Sequence, residues 1–148
     1  MRIAYTFLAT GAEFTSDGRL WVLGGDIDSI GASSFPVSQP GLCLVIKFLF
    51  SPDEVGQSHT LQVDVIRPNG ERLGPSAQGE FKAQGRADGL TRESGVGAVV
   101  HMSQVPFQES GEHTIHISVD GQWRETLALY LRPIALPTES EVSRADRA

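Results

Sequence analysis

The chain has 148 residues, of which 40% are apolar, a formal net charge of −6 and a single cysteine, Cys43. This apolar content is enough for the core of one domain without a structural metal or cofactor, and one cysteine excludes an intrachain disulfide. Because basic residues form no cluster, neither nucleic acid nor an anionic membrane surface is expected as a partner. No apolar run reaches the ~20 residues of a membrane-spanning helix, and no secretory signal is evident. We expect a soluble cytoplasmic protein.

Apolar and polar residues alternate along most of the chain, which is the pattern of half-buried β-strands. Turn-forming groups such as Ser16-Asp17-Gly18 and Asp120-Gly121 separate the alternating segments. About seven to nine short strands are therefore predicted, in an all-β, antiparallel two-sheet sandwich of immunoglobulin-like Greek-key topology. The sandwich is expected over residues 1–132 and a flexible tail over 133–148. The predicted strands cover residues 3–14, 19–24, 42–50, 59–67, 78–84, 98–104, 113–120 and 122–132.

The strands that begin at His59-Thr60 and His113-Thr114 are nearly alike. Both histidines share the parity of the inward residues, so they could meet at one edge of the sandwich and bind a metal. No third ligand is indicated, and a structural role is the favoured interpretation. The alternation predicts an inner face formed by Leu44, Ile46, Phe48, Leu61, Val63, Val65, Ile115, Ile117, Val119, Leu127 and Leu129.

The segment 42–50 is apolar on both faces, because Cys43, Val45 and Leu49 occupy the side opposite the predicted core. An antiparallel strand with one wet face should alternate cleanly, so something must cover this second face. A symmetric homodimer is the predicted cover. The alternatives are the loop 26–41 and the chain's own N-terminal strand.

Four residues are candidates for binding a carbohydrate or another small ligand. Trp21 and Trp123 could stack on a sugar if exposed, and Asp26 and Asp28 could bind a hydroxyl or a cation. Both tryptophans share parity with leucines, which favours burial in the core or in an interface. Asp and Gly are ordinary loop residues. No motif of nucleophile and base is present, so we predict that the chain is not an enzyme.

The segment 85–97 is rich in glycine, has no periodicity and is predicted to be mobile. It concentrates opposite charges, and we predict that it contacts a protein partner through Arg86, Asp88, Arg92 and Glu93.

A resemblance to a known family rests on five segments, which are spread over most of residues 3–131. They are Ile3-Ala4-Tyr5, the segment 17–28, Phe35-Pro36-Val37, His59-Thr60-Leu61 and the hairpin 111–121. Together they resemble a family of short, uncharacterised bacterial proteins known only as a domain of unknown function. The resemblance implies a compact β-sandwich and supplies no catalytic residues. The predicted function is a non-catalytic intracellular interaction or assembly module; a carbohydrate- or small-ligand-binding domain is the first alternative, and a hydrolase whose residues converge only in three dimensions is the second.

Overall fold

The computed structural model describes residues 1–85 and 92–135, and these residues form two β-sheets with a shared core. The all-β prediction is confirmed, since the described residues contain no α-helix and only one 3₁₀ turn, Pro52–Glu54. The strands are β1 (Arg2–Phe14), β2 (Leu20–Gly25), β3 (Ser29–Ala32), β4 (Cys43–Phe50), β5 (Ser58–Ile66), β6 (Ala77–Lys82), β7 (Ser94–His101), β8 (Gly111–Val119) and β9 (Gln122–Pro133).

The four-stranded sheet A has the strand order β2-β1-β4-β7, and the five-stranded sheet B has the order β3-β9-β8-β5-β6. Sheet B curls into a half-barrel. The two-sheet prediction is confirmed, but the pairing is not wholly antiparallel, because β3 runs parallel to β9. This strand was predicted as loop. Its four residues, Ser-Ile-Gly-Ala, are too few and too small to show a clear alternation.

The predicted inner face lies between the two sheets. Its members are buried, except Leu127, which is partly buried at the margin of the core. Phe48 of β4 stacks on Phe81 of β6 with ring centroids 4.6 Å apart, which joins the two sheets through aromatic contact. Each fully buried Leu or Ile of this core contributes about 1.5–3 kcal/mol to folding.

The chain's own N-terminal hairpin, β1–β2, covers Cys43 and Val45 on the second face of β4, whereas Leu49 of the same face is only partly buried. Cys43 and Val45 are buried with Ala9 of β1 in a separate cluster on the outer side of sheet A. The side chains that pack on this cluster are Phe7, Ala12, Phe14, Leu20 and Val99. This was one of the alternatives left open by the sequence. The burial of Cys43 and Val45 is therefore explained within one chain, and the predicted homodimer stays a prediction.

Two predicted boundaries differ from the structure. Strand β7 begins at Ser94, so 94–97 belong to a strand and not to the predicted mobile segment, of which 86–91 lie outside the described residues. Strand β9 continues to Pro133, and the Ile134 N–H donates to the Ala32 carbonyl at 2.9 Å. The start of the predicted tail is therefore held against β3. Residues 136–148 lie outside the described residues.

Candidate functional site

Each sheet ends in strands whose outer backbone groups have no neighbouring strand among the described residues. Sheet A ends in β2 and β7, and sheet B ends in β3 and β6. Such an edge can pair with another chain, and proteins protect edges with charged residues, prolines or short strands. Strand β3 has only four residues, and β6 carries Glu80 and Lys82. Strand β2, with the sequence Leu-Trp-Val-Leu-Gly-Gly, has none of these protections.

The unprotected edge strand β2 also carries the most exposed large apolar side chains in its sheet. Trp21 is 67% exposed and Leu23 is 74% exposed, and both lie on the same side of the strand, as their parity predicted. Their neighbours across the β1–β2 pair are Glu13 and Gly11. Since Gly11 has no side chain, Leu23 borders a shallow depression. We name the exposed strand residues Trp21, Val22 and Leu23 the β2 edge.

The opposite side of the hairpin holds the β2 edge in place. Leu20 and Phe14 pack into the cluster around Val45, so the alternation forces Trp21 and Leu23 outward. The Thr10 hydroxyl donates to the Leu23 carbonyl at 2.7 Å, which ties β2 to β1 on its inner side. The exposure of these apolar residues is therefore a consequence of a well-anchored hairpin, and it does not result from fraying.

For the two tryptophans, burial in the core or in an interface was predicted; burial in the core is wrong, and burial in an interface stays a prediction. Trp123 is 66% exposed because the register of the β8–β9 pair shifts: Ile117 pairs with Glu125, but Ser118 pairs with Trp123. The extra residue reverses the parity of Trp123 relative to the leucines that follow it. Trp21 lies on sheet A and borders a shallow depression with Gly11 and Leu23, whereas Trp123 lies on sheet B and does not line that depression. They do not form a shared platform.

The two candidate carboxylates are exposed and have different surroundings. Asp26 adopts a left-handed backbone conformation (φ 59°) in the turn after β2. Asp28 borders a shallow depression of about 500 Å³ on sheet B, whose other lining residues include Tyr130 and Arg132. The Asp28 carbonyl accepts a hydrogen bond from the Tyr130 N–H at 2.9 Å. Only Asp28 therefore belongs to a surface that could bind a small polar ligand.

The two histidines lie at opposite ends of sheet B, so the expectation that they share an edge is wrong. Both begin strands, but β5 and β8 are antiparallel, and their starting residues are therefore far apart. His113 is fully buried, and its Nδ1 lies 3.2 Å from the Gly111 carbonyl. Burial lowers the pKa of His113. Within residues 1–85 and 92–135, no three His, Cys, Asp or Glu side chains converge on a possible metal position.

His59 forms a pair with Asp120 that resembles part of a catalytic triad but lacks a nucleophile. Its Nδ1 lies 2.7 Å from the Asp120 carboxylate, which also accepts from the Thr60 N–H at 2.9 Å. These hydrogen bonds hold the pKa of Asp120 below its usual value. The His59 ring packs between Phe50 and Phe81, and its Nε2 is buried without a hydrogen-bond partner in the described structure. Among residues 1–85 and 92–135, no hydroxyl or thiol is therefore in position for activation by this histidine.

The predicted partner-binding charges are only partly described. Arg86 and Asp88 lie outside the described residues. Arg92 and Glu93 are exposed, and the Glu93 carboxylate accepts hydrogen bonds from the Arg2 guanidinium at 2.9 and 3.3 Å. The hydrogen bond and the charge of Arg2 lower the pKa of Glu93. Glu93 thus links the start of β7 to the start of β1 within the chain.

The fold and its exposed edges place the chain in the class of all-β, two-sheet domains. More narrowly, it belongs to a family of unknown function, DUF6941, whose family model matches residues 4–132. This match confirms the resemblance to an uncharacterised family. No protein of curated function matches the chain. The described residues also include no helix with the length and apolar character needed to span a bilayer.

Proposed function

We propose that the chain is a non-catalytic assembly module, and that two copies associate through their β2 edges about a two-fold axis. The observation that carries this proposal is the exposure of Trp21 and Leu23 on an edge strand without protecting charges. Antiparallel pairing of two β2 strands would satisfy their outer backbone groups and join two copies of sheet A into one continuous sheet. The proposed interface is therefore formed by β2 and not by β4, because Cys43 and Val45 of β4 pack against the chain's own hairpin.

The sequence of β2 suits pairing with itself. If Val22 lies opposite its own copy, Trp21 of each chain faces Leu23 of the other on the same side of the sheet, and the two contacts are equivalent. No charged residue lies within Leu20–Gly25, so the net charge of −6 places no like charges opposite one another along the strand. Burying the exposed two thirds of one tryptophan is worth at most about 2.5–4 kcal/mol, before the entropy lost on association.

Light scattering at micromolar concentration tests this proposal with a matched pair of variants. The wild type is expected to show the mass of two chains, and Trp21→Lys the mass of one. Trp123→Lys is the control, because Trp123 is exposed to almost the same extent on the other sheet. It should leave the dimer intact. A wild type with the mass of one chain, or equal effects of both substitutions, would refute assembly through β2.

Binding of a carbohydrate or small ligand is the second candidate function. The exposure of both tryptophans favours it, as does the depression where Asp28 lies beside the half-exposed ring of Tyr130. Titration with neutral mono- and disaccharides, followed by intrinsic fluorescence, tests this candidate. A saturable change that Tyr130→Ala removes would support it, and no change with any sugar tested would count against it.

Other parts of the proposal rest on the sequence. We also propose an immunoglobulin-like Greek-key topology, a bacterial origin and a cytoplasmic location. The topology would suit an interaction module, since sandwiches present loops and edges to partners. Contact of a protein partner with Arg86, Asp88, Arg92 and Glu93 is likewise a proposal. A hydrolase is disfavoured by the environment of His59, whose Nε2 is enclosed by aromatic rings.

A further inference from the structure

A groove of about 280 Å³ lies between the two sheets on the side away from β2. Strands β6 and β7 form its two walls, and β5 forms its floor. The lining is mostly apolar: Leu61, Val63, Ala77, Gln78, Gly79, Glu80, Phe81, Ala98, Val99 and Val100. The groove is therefore an opening into the core between two edge strands.

Small residues on β6 keep this groove open. The β5–β6 register places Gly79 opposite Leu61 and Ala77 opposite Val63, and both β5 residues face the core. Directly paired residues point to the same side of a sheet, so Gly79 and Ala77 also face inward. A Cβ at Gly79 would meet no atom within 4 Å, and the backbone there is not left-handed. A larger side chain would therefore fit at position 79 without strain, and the glycine leaves this part of the groove unfilled.

The two walls differ in their readiness to accept another strand. Strand β6 carries Glu80 and Lys82, which protect its edge, whereas β7 has no Lys, Arg, Asp or Glu between Ser94 and His101. The inward side chains of β7, Ala98 and Val100, remain partly exposed beside the groove. A strand added to β7 would extend sheet A and would direct alternate side chains into the groove.

We propose that this groove binds an extended peptide segment of a partner protein, which inserts a large apolar side chain beside Gly79. The peptide pairs with the edge of β7 that has no strand partner among the described residues. The site lies at the opposite end of sheet A from β2, so it is independent of the proposed self-association. The peptide's backbone pairs with β7, and its apolar side chain removes the groove surface from water.

The size of the groove and the strand edge beside it favour a peptide over a free apolar molecule. Its volume corresponds to about nine water molecules at ~30 Å³ each and lies just below the range of ordinary small-molecule pockets, about 300–1,000 Å³. Glu80, the one charged residue of the lining, pairs with Thr60 and alternates with Gly79, so its side chain faces the outer side of sheet B and the inward lining is apolar. Among the described residues the outer backbone groups of β7 have no strand partner, and only a ligand with a backbone of its own can pair with them.

The test uses a displayed library of random nine-residue peptides, selected on the full chain and then synthesised with a fluorescent label. The proposal expects enriched peptides with apolar residues at alternate positions. Anisotropy should show saturable binding that Gly79→Leu, which fills the groove, weakens at least tenfold. Thr60→Leu is the control, because Thr60 is an exposed residue of the neighbouring strand outside the groove lining; it should bind as the wild type does. Circular dichroism and thermal melts verify that both variants fold.

Four outcomes would overturn the proposal. The first is no enrichment of peptides, and the second is unchanged binding by Gly79→Leu. The third is displacement of the peptide by decanoate at concentrations below its micelle-forming range, because it would identify an apolar small molecule as the occupant. If Gly79→Leu instead converts a two-chain particle into a one-chain particle in light scattering, the occupant is a second copy and the peptide proposal fails.

Discussion

The packing of the β1–β2 hairpin on sheet A can be tested at one glycine, Gly97 of β7. A Cβ atom at this position would lie no more than 2.6 Å from three carbons of the Phe14 ring. Ordinary van der Waals contact begins near 3.4 Å. Phe14 and the end of β1 would have to move outward, which exposes the cluster around Val45. We therefore expect Gly97→Ala to destabilise the protein.

The magnitude follows from two opposing effects. Overpacking a well-packed site costs about 1–3 kcal/mol, and replacing glycine by alanine within a regular element gains about 0.5–1 kcal/mol. The net loss for Gly97→Ala therefore lies between about 0 and 2.5 kcal/mol. Its centre is near 1 kcal/mol, which corresponds to about 2–4 °C in the melting temperature of a domain near 150 residues. Gly95 of the same strand is the matched control. A Cβ there would meet the flexible end of Lys47 at 2.5 and 2.8 Å, and that side chain can swing away.

Urea denaturation of the two alanine variants measures the difference. Gly95→Ala should be unchanged or more stable by up to about 1 kcal/mol. In a Phe14→Ala background the clash is absent, so Gly97→Ala should then be neutral or stabilising, with a coupling energy of about 1–3 kcal/mol. Equal stability of the two single variants, or no coupling to Phe14, would show that the hairpin does not lie over β7.

Three further predictions concern buried and exposed side chains. Because burial lowers the pKa of His113, the unfolded chain binds a proton more readily than the folded chain, and stability should fall as the pH drops below about 6.5. Denaturation at pH 7.5 and 5.5 measures this loss of stability. The loss should be smaller in His113→Leu than in the wild type or in a His116→Leu control. The Cys43 thiol is buried and burial raises its pKa, so a disulfide reagent should react with it much faster in urea than in the native protein. Iodide should quench the fluorescence of both tryptophans in dilute solution. In a Trp123→Phe variant, the remaining Trp21 should become shielded from iodide as the protein concentration rises. Quenching that does not change with concentration would argue against burial of Trp21 on association.

The inner face was predictable because it depends only on local alternation. Leu61, Val63 and Val65 alternate without interruption, and all three are buried. The same rule failed at Trp123, since one extra residue in β9 reverses the parity and no sequence signal marks that register shift. Strand β3 was missed for a related reason: its partner β9 lies about a hundred residues away, and a four-residue segment has little pattern of its own.

The candidate surfaces were only partly predictable. Alternation placed Trp21 and Leu23 on one side of a strand, but it could not show which side faces the core. That choice depends on where Phe14 and Leu20 pack, and those contacts join segments distant in sequence. The groove has a signal that was present in the chain: alternate positions of β6 are the small residues Ala77 and Gly79. Small residues at inward positions indicate missing volume, but only the structure shows that no other segment of the described chain fills it.

Amide hydrogen exchange at two protein concentrations, one submicromolar and one near 100 micromolar, is the most direct test of assembly through β2. It needs no substitution, and it reports on the backbone groups that the proposed pairing would satisfy. The proposal predicts slower exchange over Leu20–Gly25 at the higher concentration, with β6 and β7 unchanged as internal references. Exchange over Leu20–Gly25 that is the same at both concentrations, or protection that appears at β7 in its place, would contradict it.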